Sequence, residues 1–272
     1  MTIKNPLSIS NIAWNIESDD EVAEILGAMG ITYIDIAPSK YFRNFFEVKF
    51  EDVEGLRKKW ESRGIQIYGM QSLLYGCQHL NLFSGHSDRE QMLSHLRRVC
   101  EISSMLGAKY LTFGSPKNRL IEDQQEEEVQ DIALDFFFKL GQVAKENGVM
   151  VCIEPNPEAY GANFLTTTGE AYQFVKRLDH SNIKLQFDTG TAILNDEGVI
   201  NEFSIFYLGH VHASTPFLLP IDVDNKISVL KKIKGCLPIP EEKVVSIEML
   251  TNNKGDKKQL ITEAITALRN LE

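Results

Sequence analysis

Short apolar segments alternate with longer amphipathic segments along the chain, and the alternation repeats eight times without a linker rich in Pro, Gly or Ser. Each apolar segment has the length of a β-strand and is followed by a helix-like stretch. The predicted strands are 7–14, 31–38, 65–71, 109–115, 149–155, 183–189, 207–213 and 244–250. Strands that alternate with helices pair in parallel, and eight such units favour closure into an α/β fold of the (β/α)8 TIM barrel type.

The alternative fold is an open doubly wound sheet of the flavodoxin or Rossmann type. Such a sheet predicts a glycine-rich phosphate turn after the first strand, whereas the sequence there reads NIAWNIES, without glycine. A barrel commonly fills a chain of this length, so we expect one domain over residues 1–272.

Capping residues predict the boundaries of several helices. Two helices are expected to begin at Ser18 and Ser87, because serine accepts hydrogen bonds from the first turn of a helix. They are expected to close on Gly30 and Gly107 before the next strand. The helix after the sixth strand has the weakest pattern and is placed at NEFSIFY, residues 201–207.

Four consecutive strands in the second half of the chain end in similar polar patterns: VCIE, LQFD, HVH and VSIE. Side chains two positions apart share a face of a strand, and the positions between these polar residues are apolar. The apolar face must pack against the surrounding helices, which turns the polar face into the barrel. The polar residues nearest the C-terminal mouth are Glu154, Asp188, His212 and Glu248, and those one layer deeper are Cys152, Gln186, His210 and Ser246.

Three carboxylates that converge at a barrel mouth repel one another and raise their own pKa values unless a cation neutralises them. Three acidic side chains and one imidazole form an oxygen-rich set that suits Mn²⁺, Mg²⁺ or Co²⁺, with Zn²⁺ also admissible, whereas a closed structural zinc site favours sulfur. Octahedral coordination leaves about two positions for substrate oxygens or water. Such a site can polarise a carbonyl and stabilise an enediolate.

Composition narrows the classes of partner. A formal net charge of −10 argues against a nucleic-acid binder, which needs clustered Lys and Arg. We expect no membrane insertion and no secretion signal, because no long uninterrupted apolar run occurs. Four cysteines without a CxxC pair are typical of reduced thiols, so we expect a cytoplasmic protein; a homo-oligomer is left open.

Several other residues stand at the predicted mouth and are candidates to bind substrate. They are Trp14, Lys40, Gln71, Lys117, Arg119, Asn156 and Tyr160. The three basic residues could anchor a phosphate or carboxylate, or only keep a loop soluble. Trp14 could form an aromatic wall or pack under a loop, and Asn156 with Tyr160 could touch substrate or order their turn.

The strand ends together resemble those of the xylose isomerase-like TIM-barrel superfamily, in particular its sugar phosphate isomerase/epimerase branch. The resemblance covers essentially the whole chain and rests on IAWNIES, APSKYF, MQSLLYG, FGSPKNR, IEPNP and FDTGT. It implies that Glu154, Asp188, His212 and Glu248 bind one divalent metal, commonly Mn²⁺. It also implies that Glu154 and Glu248 exchange a proton with the substrate carbon from opposite faces. From their position one layer deeper on the strands, His210 and Gln186 are expected to support the ligands from below; His210 could instead be a core residue, and it is expected to bind no metal directly.

The chain departs from the ketose epimerases of this superfamily where they hold the sugar hydroxyls. Thr191 stands where they carry a His after the metal-binding Asp, and Thr215 and Leu218 stand where they carry an acid and an Arg. The barrel and the metal site carry over from the resemblance, whereas the substrate clamp and the identity of the sugar do not.

The sequence therefore predicts a metal-dependent isomerase or epimerase of a sugar, sugar phosphate or polyol. A lyase, dehydratase or C-glycoside-cleaving enzyme on the same barrel is the alternative, because it begins with the same proton abstraction. A phosphodiesterase of the endonuclease IV type and a non-catalytic sugar-binding barrel are less favoured. The first needs additional histidines and a basic face, and the chain has six histidines in all.

Overall fold

Eight parallel strands form a closed barrel in which each strand pairs with its neighbours in the chain and the first strand closes against the last. The computed structural model describes residues 3–251 and 256–269, so residues 1, 2, 252–255 and 270–272 of the predicted domain lie outside the described part. The strands are β1 Leu7–Ser10, β2 Tyr33–Ile36, β3 Gln66–Met70, β4 Tyr110–Phe113, β5 Met150–Ile153, β6 Ile183–Asp188, β7 Leu208–Ser214 and β8 Val245–Glu248. All eight predicted strands and the (β/α)8 barrel are confirmed.

Eight α-helices alternate with the strands in the part of the chain that the structure describes. They are α1 Asp19–Ala28, α2 Phe50–Glu61, α3 His86–Leu106, α4 Glu126–Glu146, α5 Thr168–Leu178, α6 Thr189–Leu194, α7 Lys226–Gly235 and α8 Lys257–Arg269. In residues 3–251 and 256–269, none of these helices is both long enough and apolar enough to span a bilayer.

The predicted helix boundaries hold in part. Gly107 ends α3 in the left-handed conformation, with φ of +79°, as the sequence predicts. However, α3 begins at His86 after Gly85, and Ser18 precedes α1 without capping it. The Ser18 hydroxyl instead accepts a hydrogen bond of 2.8 Å from Lys257 Nζ, which ties α1 to the last helix.

The helix predicted at residues 201–207 is wrong. The helix that follows β6 is α6, which begins directly after the strand because Asp188 Oδ1 accepts a 2.7 Å hydrogen bond from Thr191 N and caps it. Residues 201–207 contain only a short 3-10 turn at Ile205–Tyr207. The consequence for the site is that Asp188 is both the last residue of a strand and the cap of a helix.

The two faces of each strand are buried in different surroundings. Phe113 on β4 packs edge-to-face on Phe137 of α4, with ring centroids 5.1 Å apart, so the apolar face meets the helices. On the opposite face the Tyr110 ring stacks on His210 at 5.6 Å, inside the barrel. Thr112 Oγ1 lies 3.4 Å from Gln186 Oε1 across the same interior. The predicted polar interior is thus present, and it brings the polar strand ends together at one mouth.

Candidate metal centre

Four side chains converge at the C-terminal mouth of the barrel, one from each of β5 to β8. Glu154 directly follows β5, Asp188 and Glu248 end β6 and β8, and His212 lies within β7. Each offers one potential ligand atom, and all four atoms lie within 4.8 Å of one another. His212 Nδ1 is 3.2 Å from Glu154 Oε1 and 3.3 Å from Glu248 Oε2. The parity of the strands therefore brings together the set that the sequence singled out.

The cluster carries more negative charge than its own histidine can balance. Burial, reinforced by the nearby carboxylates of Glu154 and Glu248, raises the pKa of Asp188 to about 7. Burial lowers the pKa of His212, but the charge of Glu248 and the close approach of the Asp35 and Glu154 carboxylates outweigh it and raise that pKa well above its usual value. A buried group of three acids in this state would be stabilised by a divalent cation.

The free atoms of the cluster fit such a cation. Glu154 Oε1 and both ring nitrogens of His212 are buried and form no hydrogen bond with the described residues. Buried polar atoms normally have partners, and three carboxylate oxygens with one imidazole nitrogen are a donor set that Mn²⁺, Mg²⁺, Co²⁺ and Zn²⁺ accept. The residues present therefore fit one divalent metal ion.

Neighbouring groups fix the orientation of the carboxylates. Asp188 Oδ2 accepts a 2.5 Å hydrogen bond from Ser214 Oγ, in addition to the cap bond from Thr191. Glu248 Oε1 accepts a 2.5 Å hydrogen bond from Gln71 Nε2. Both oxygens of Asp188 and one oxygen of Glu248 are thus held by the protein, and such support fixes the geometry of potential ligands.

Asp35 on β2 is a buried acid that the sequence analysis missed. Asp35 Oδ2 accepts a 2.6 Å hydrogen bond from His210 Nε2 and lies 3.6 Å from His212 Nε2. Burial raises the pKa of Asp35, but the hydrogen bond from His210 and the charges of His210 and His212 outweigh burial and hold the pKa below its usual range. The signal was available, because an acid between Ile34 and Ile36 must point into the barrel if those isoleucines point out.

Asp35, His210 and His212 also lie close enough to count as a second potential ligand group. However, the short hydrogen bond between Asp35 and His210 already uses the facing atoms of both residues. Asp35 lies on the Nε2 side of the His212 ring, and Glu154 and Glu248 lie on its Nδ1 side. This is the arrangement in which a buried carboxylate orients an imidazole ligand from behind.

A cavity of about 300 Å³ opens above the cluster. It is lined by Glu154, Asn156, Tyr160, Asp188, Thr191, Phe217, Leu218 and Glu248. Asn156 and Tyr160 were predicted to face substrate, and both lie on this cavity. Gln71, also predicted to contact substrate, does not line the cavity but donates a hydrogen bond to Glu248, which does. Phe217 was not anticipated, because nothing in TPFLLP distinguishes a residue on the cavity from one that faces solvent.

The structure places four other predicted substrate contacts away from the cavity lining. Trp14 is buried against Trp60 and donates from Nε1 to Asp19 at 2.9 Å. Lys40 Nζ donates to the backbone carbonyls of Asn11 and Trp14. These two residues fasten the loops after β1 and β2.

The remaining two residues lie in the loop after β4. Lys117 is exposed in a short turn. Arg119 is completely buried, and its Nη2 donates to Glu154 O at 2.5 Å and to Asn156 Oδ1 at 2.7 Å. Arg119 thus holds the backbone of the cluster residue Glu154 and the side chain of Asn156, two positions later. Deeper in the barrel, Gln186 contacts Thr112 and His210 contacts Asp35.

Known proteins of similar sequence or structure include a family of TIM barrels. The family model described as xylose isomerase-like TIM barrel matches residues 23–222. A search of curated protein sequences gave no match.

Solved structures with the same fold include a D-psicose 3-epimerase with D-tagatose from Clostridium cellulolyticum H10, at 18% identity and a TM-score of 0.69 over 97% of this chain and 96% of that one. The IolI protein with a bound zinc atom has 18% identity and a TM-score of 0.65 over 97% and 95% of the two chains. The 3-keto-D-glucoside 4-epimerase YcjR from E. coli has 15% identity and a TM-score of 0.69 over 98% and 99%.

Proposed function

Because the chain belongs to the xylose isomerase-like TIM barrel family, we propose that it is a divalent-metal-dependent epimerase or isomerase of a sugar or sugar derivative. The observation that carries this proposal is the convergence of Glu154, Asp188, His212 and Glu248 beneath a cavity of about 300 Å³. Two of the similar structures are named as sugar epimerases and a third as a zinc-binding protein, which supports the same class. We also propose that residues 1–272 work as one domain.

Glu154, Asp188, His212 and Glu248 would hold one ion, with Mn²⁺ favoured and Mg²⁺, Co²⁺ or Zn²⁺ as alternatives. When bound, such an ion supplies Lewis acidity that makes the carbon beside a substrate carbonyl more acidic. The protein itself positions a base and an acid next to that carbon and limits the access of water. The cavity has room for a monosaccharide, and its floor consists of the acids themselves.

Glu154 and Glu248 are the two groups that we propose move the proton. Glu154 directly follows β5 and Glu248 ends β8, three strands apart in a ring of eight, so they approach the cavity from different sides. One carboxylate removes a proton from the carbon next to the carbonyl, which gives an enediolate, and the other returns a proton to it. Return to the opposite face of the same carbon inverts that centre, and return to the neighbouring carbon isomerises the sugar.

Proton exchange with solvent tests this proposal. Metal-loaded protein in D2O is offered D-psicose, D-tagatose and 3-keto-D-glucose, and deuterium at carbon is followed by NMR and mass spectrometry. We expect incorporation beside the carbonyl of at least one sugar, and loss of that incorporation in Glu154→Gln and Glu248→Gln. Glu127→Gln, which alters an exposed glutamate on α4, should behave like the wild type.

The outcomes separate the classes of function. Deuterium without release of a substituent supports the isomerase or epimerase. Loss of a β-substituent from the same carbon supports the lyase alternative, since that reaction shares the first step. If sugars bind but no carbon exchanges its proton, the barrel is a binding protein and the proposal is refuted.

A further inference from the structure

One wall of the cavity is apolar, and it comes from two loops joined at the mouth. Tyr160 lies in the loop after β5, and Phe217 with Leu218 lies in the loop after β7. The rings of Tyr160 and Phe217 pack edge-to-face, with centroids 5.5 Å apart, and Phe217 N donates to the Tyr160 hydroxyl at 2.8 Å. The acids of the cluster line the same cavity. The cavity thus offers carboxylates suited to oxygens and an apolar wall suited to carbon.

The backbone of this wall adopts a conformation that costs free energy. Phe217 and Leu218 both have φ in the left-handed region, at +59° and +54°, although neither is glycine. The conformation is held by hydrogen bonds, 3.0 Å from Leu218 N to Thr215 O and 2.8 Å from Leu250 N to Leu218 O. Residues held in this way concentrate at ligand-binding sites, because there the surrounding structure fixes side chains that would otherwise relax.

The wall continues outward as an exposed apolar surface. Phe217 is 60% exposed and Leu219, two residues later, is 42% exposed. Covering a large, mostly exposed aromatic ring at the edge of a cavity with an apolar group is favourable, because apolar surface is removed from water. A bare sugar bound on the acids would present mainly hydroxyl groups to this ring.

The cavity is less suited to a phosphate. Among the described residues, those that line it include three acids and no Lys or Arg. Two basic residues near the mouth are engaged elsewhere, since Lys40 donates to backbone carbonyls and Arg119 is buried against Glu154 O and Asn156. A phosphate dianion in this cavity would meet like charge at close range.

We propose that the wall of Tyr160, Phe217 and Leu218 binds an apolar substituent carried by the sugar, so that the substrate is an unphosphorylated glycoside with an alkyl or aryl aglycone. This inference rests on the proposed function of the same site. The acids bind the oxygen-bearing edge of the sugar ring, and the aglycone lies against Phe217 and extends over the exposed edge of the loop. Covering one aromatic ring by another group of similar size corresponds to roughly a 10- to 100-fold gain in affinity.

A matched series of sugars tests the inference. Metal-loaded protein is offered 3-keto-D-glucose, its methyl and phenyl β-glycosides, and its 6-phosphate, which share the carbonyl at C3 and the two acidic carbons beside it, C2 and C4. We expect kcat/KM, measured from deuterium incorporation, to rise along the series from the free sugar to the phenyl glycoside by at least tenfold. The 6-phosphate is expected to be the poorest of the four. A preference for the free or phosphorylated sugar overturns the inference.

Variants of Phe217 test whether the preference for the phenyl glycoside depends on the apolar wall. Phe217→Ala should bring the ratio of kcat/KM for the phenyl and methyl glycosides close to one. Phe217→Asn should do the same, and Asn tolerates the left-handed backbone, so this variant guards against rearrangement of the loop. Val223→Ala is the control, because Val223 is 70% exposed on the same loop but does not line the cavity. A ratio that survives both changes at Phe217 also refutes the inference.

A binding measurement separates the role of the apolar wall from the proton chemistry of the proposed function. If none of the sugars exchanges its proton, the dissociation constants of D-glucose and of methyl and phenyl β-D-glucoside are measured by calorimetry on the same protein. Tighter binding of the phenyl glucoside, lost in Phe217→Asn, supports the wall even where the proton chemistry is absent. Equal affinities for the three compounds refute it.

Discussion

Gly114 lies at the end of β4 directly against the carboxylate of Glu154, and its replacement by alanine tests the placement of that carboxylate. A Cβ at position 114 would lie 2.5 Å from Glu154 Oε2 and 3.6 Å from its Cδ. Ordinary contact of a Cβ begins at 3.4 Å, so the oxygen must move by about 1 Å. The obstructing atom is the end of a flexible side chain, so the carboxylate can move without displacement of the backbone.

Gly114→Ala is therefore expected to damage the site and spare the fold. Ligand positions at a metal tolerate deviations of only about 0.2 Å, and loss of well-placed support lowers metal affinity by roughly 10- to 100-fold. Misplacement of a catalytic group by about 1 Å lowers turnover by roughly 100-fold. The melting temperature of the metal-free protein should stay within about 2 °C of the wild type, because replacing glycine with alanine also restricts the unfolded chain.

The assay is a Mn²⁺ titration by calorimetry, paired with thermal unfolding in the presence of a chelator. Gly55→Ala on α2 is the matched control, since no atom lies within 4 Å of the added Cβ. That control should keep the metal affinity of the wild type. Unchanged affinity in Gly114→Ala would falsify the placement of Glu154, and a large loss of stability would show that the contact serves the fold.

Three further predictions follow from the same geometry. Asp35→Asn should lower metal affinity roughly 10- to 100-fold in a Mn²⁺ titration, because the charge behind His212 is lost; affinity equal to the wild type would show that Asp35 only fills the interior. Gly190→Ala should destabilise the fold by about 1–3 kcal/mol in chemical unfolding, because its Cβ would lie 2.9 Å from the backbone oxygen of Thr215; an unchanged midpoint contradicts that packing. Mn²⁺ affinity should rise from pH 6 to pH 8, since Asp188, whose pKa is about 7, must lose its proton to act as a ligand; affinity independent of pH would exclude Asp188 from the ligands.

The eightfold alternation of strands and helices was sufficient to predict the barrel. The period-two pattern within the strands was sufficient to predict the convergence of Glu154, Asp188, His212 and Glu248. In a closed parallel barrel the alternation of side chains determines which residues face inward, so Glu154 and Glu248 could be paired although 94 positions separate them. Asp35 obeys the same rule, but a single acid in one early strand gave no repeated pattern. Its role became visible only when β2 and β7 were seen to face each other across the interior.

The hydrophobic pattern of the strands does not predict where side chains in the loops point. Lys40 and Arg119 follow strand ends as an anion anchor would, yet their side chains bind backbone carbonyls and an amide. The position of a basic residue after a strand does not determine where a long flexible side chain points. Phe217 faces the cavity because its backbone is left-handed, a conformation that the local sequence TPFLLP does not predict. The substrate is selected by the loops at the mouth of the barrel, and the periodicity of hydrophobic residues does not predict the conformation of those loops.

The metal content of the purified protein tests the central claim most directly. Elemental analysis after exposure to Mn²⁺ and dialysis should give one ion per chain for the wild type and for the exposed-residue control Glu127→Gln. Glu154→Gln and His212→Ala should each lose most of that ion while remaining folded by circular dichroism. Divalent metal at the wild-type level in both variants would contradict the assignment of Glu154, Asp188, His212 and Glu248 as the metal centre.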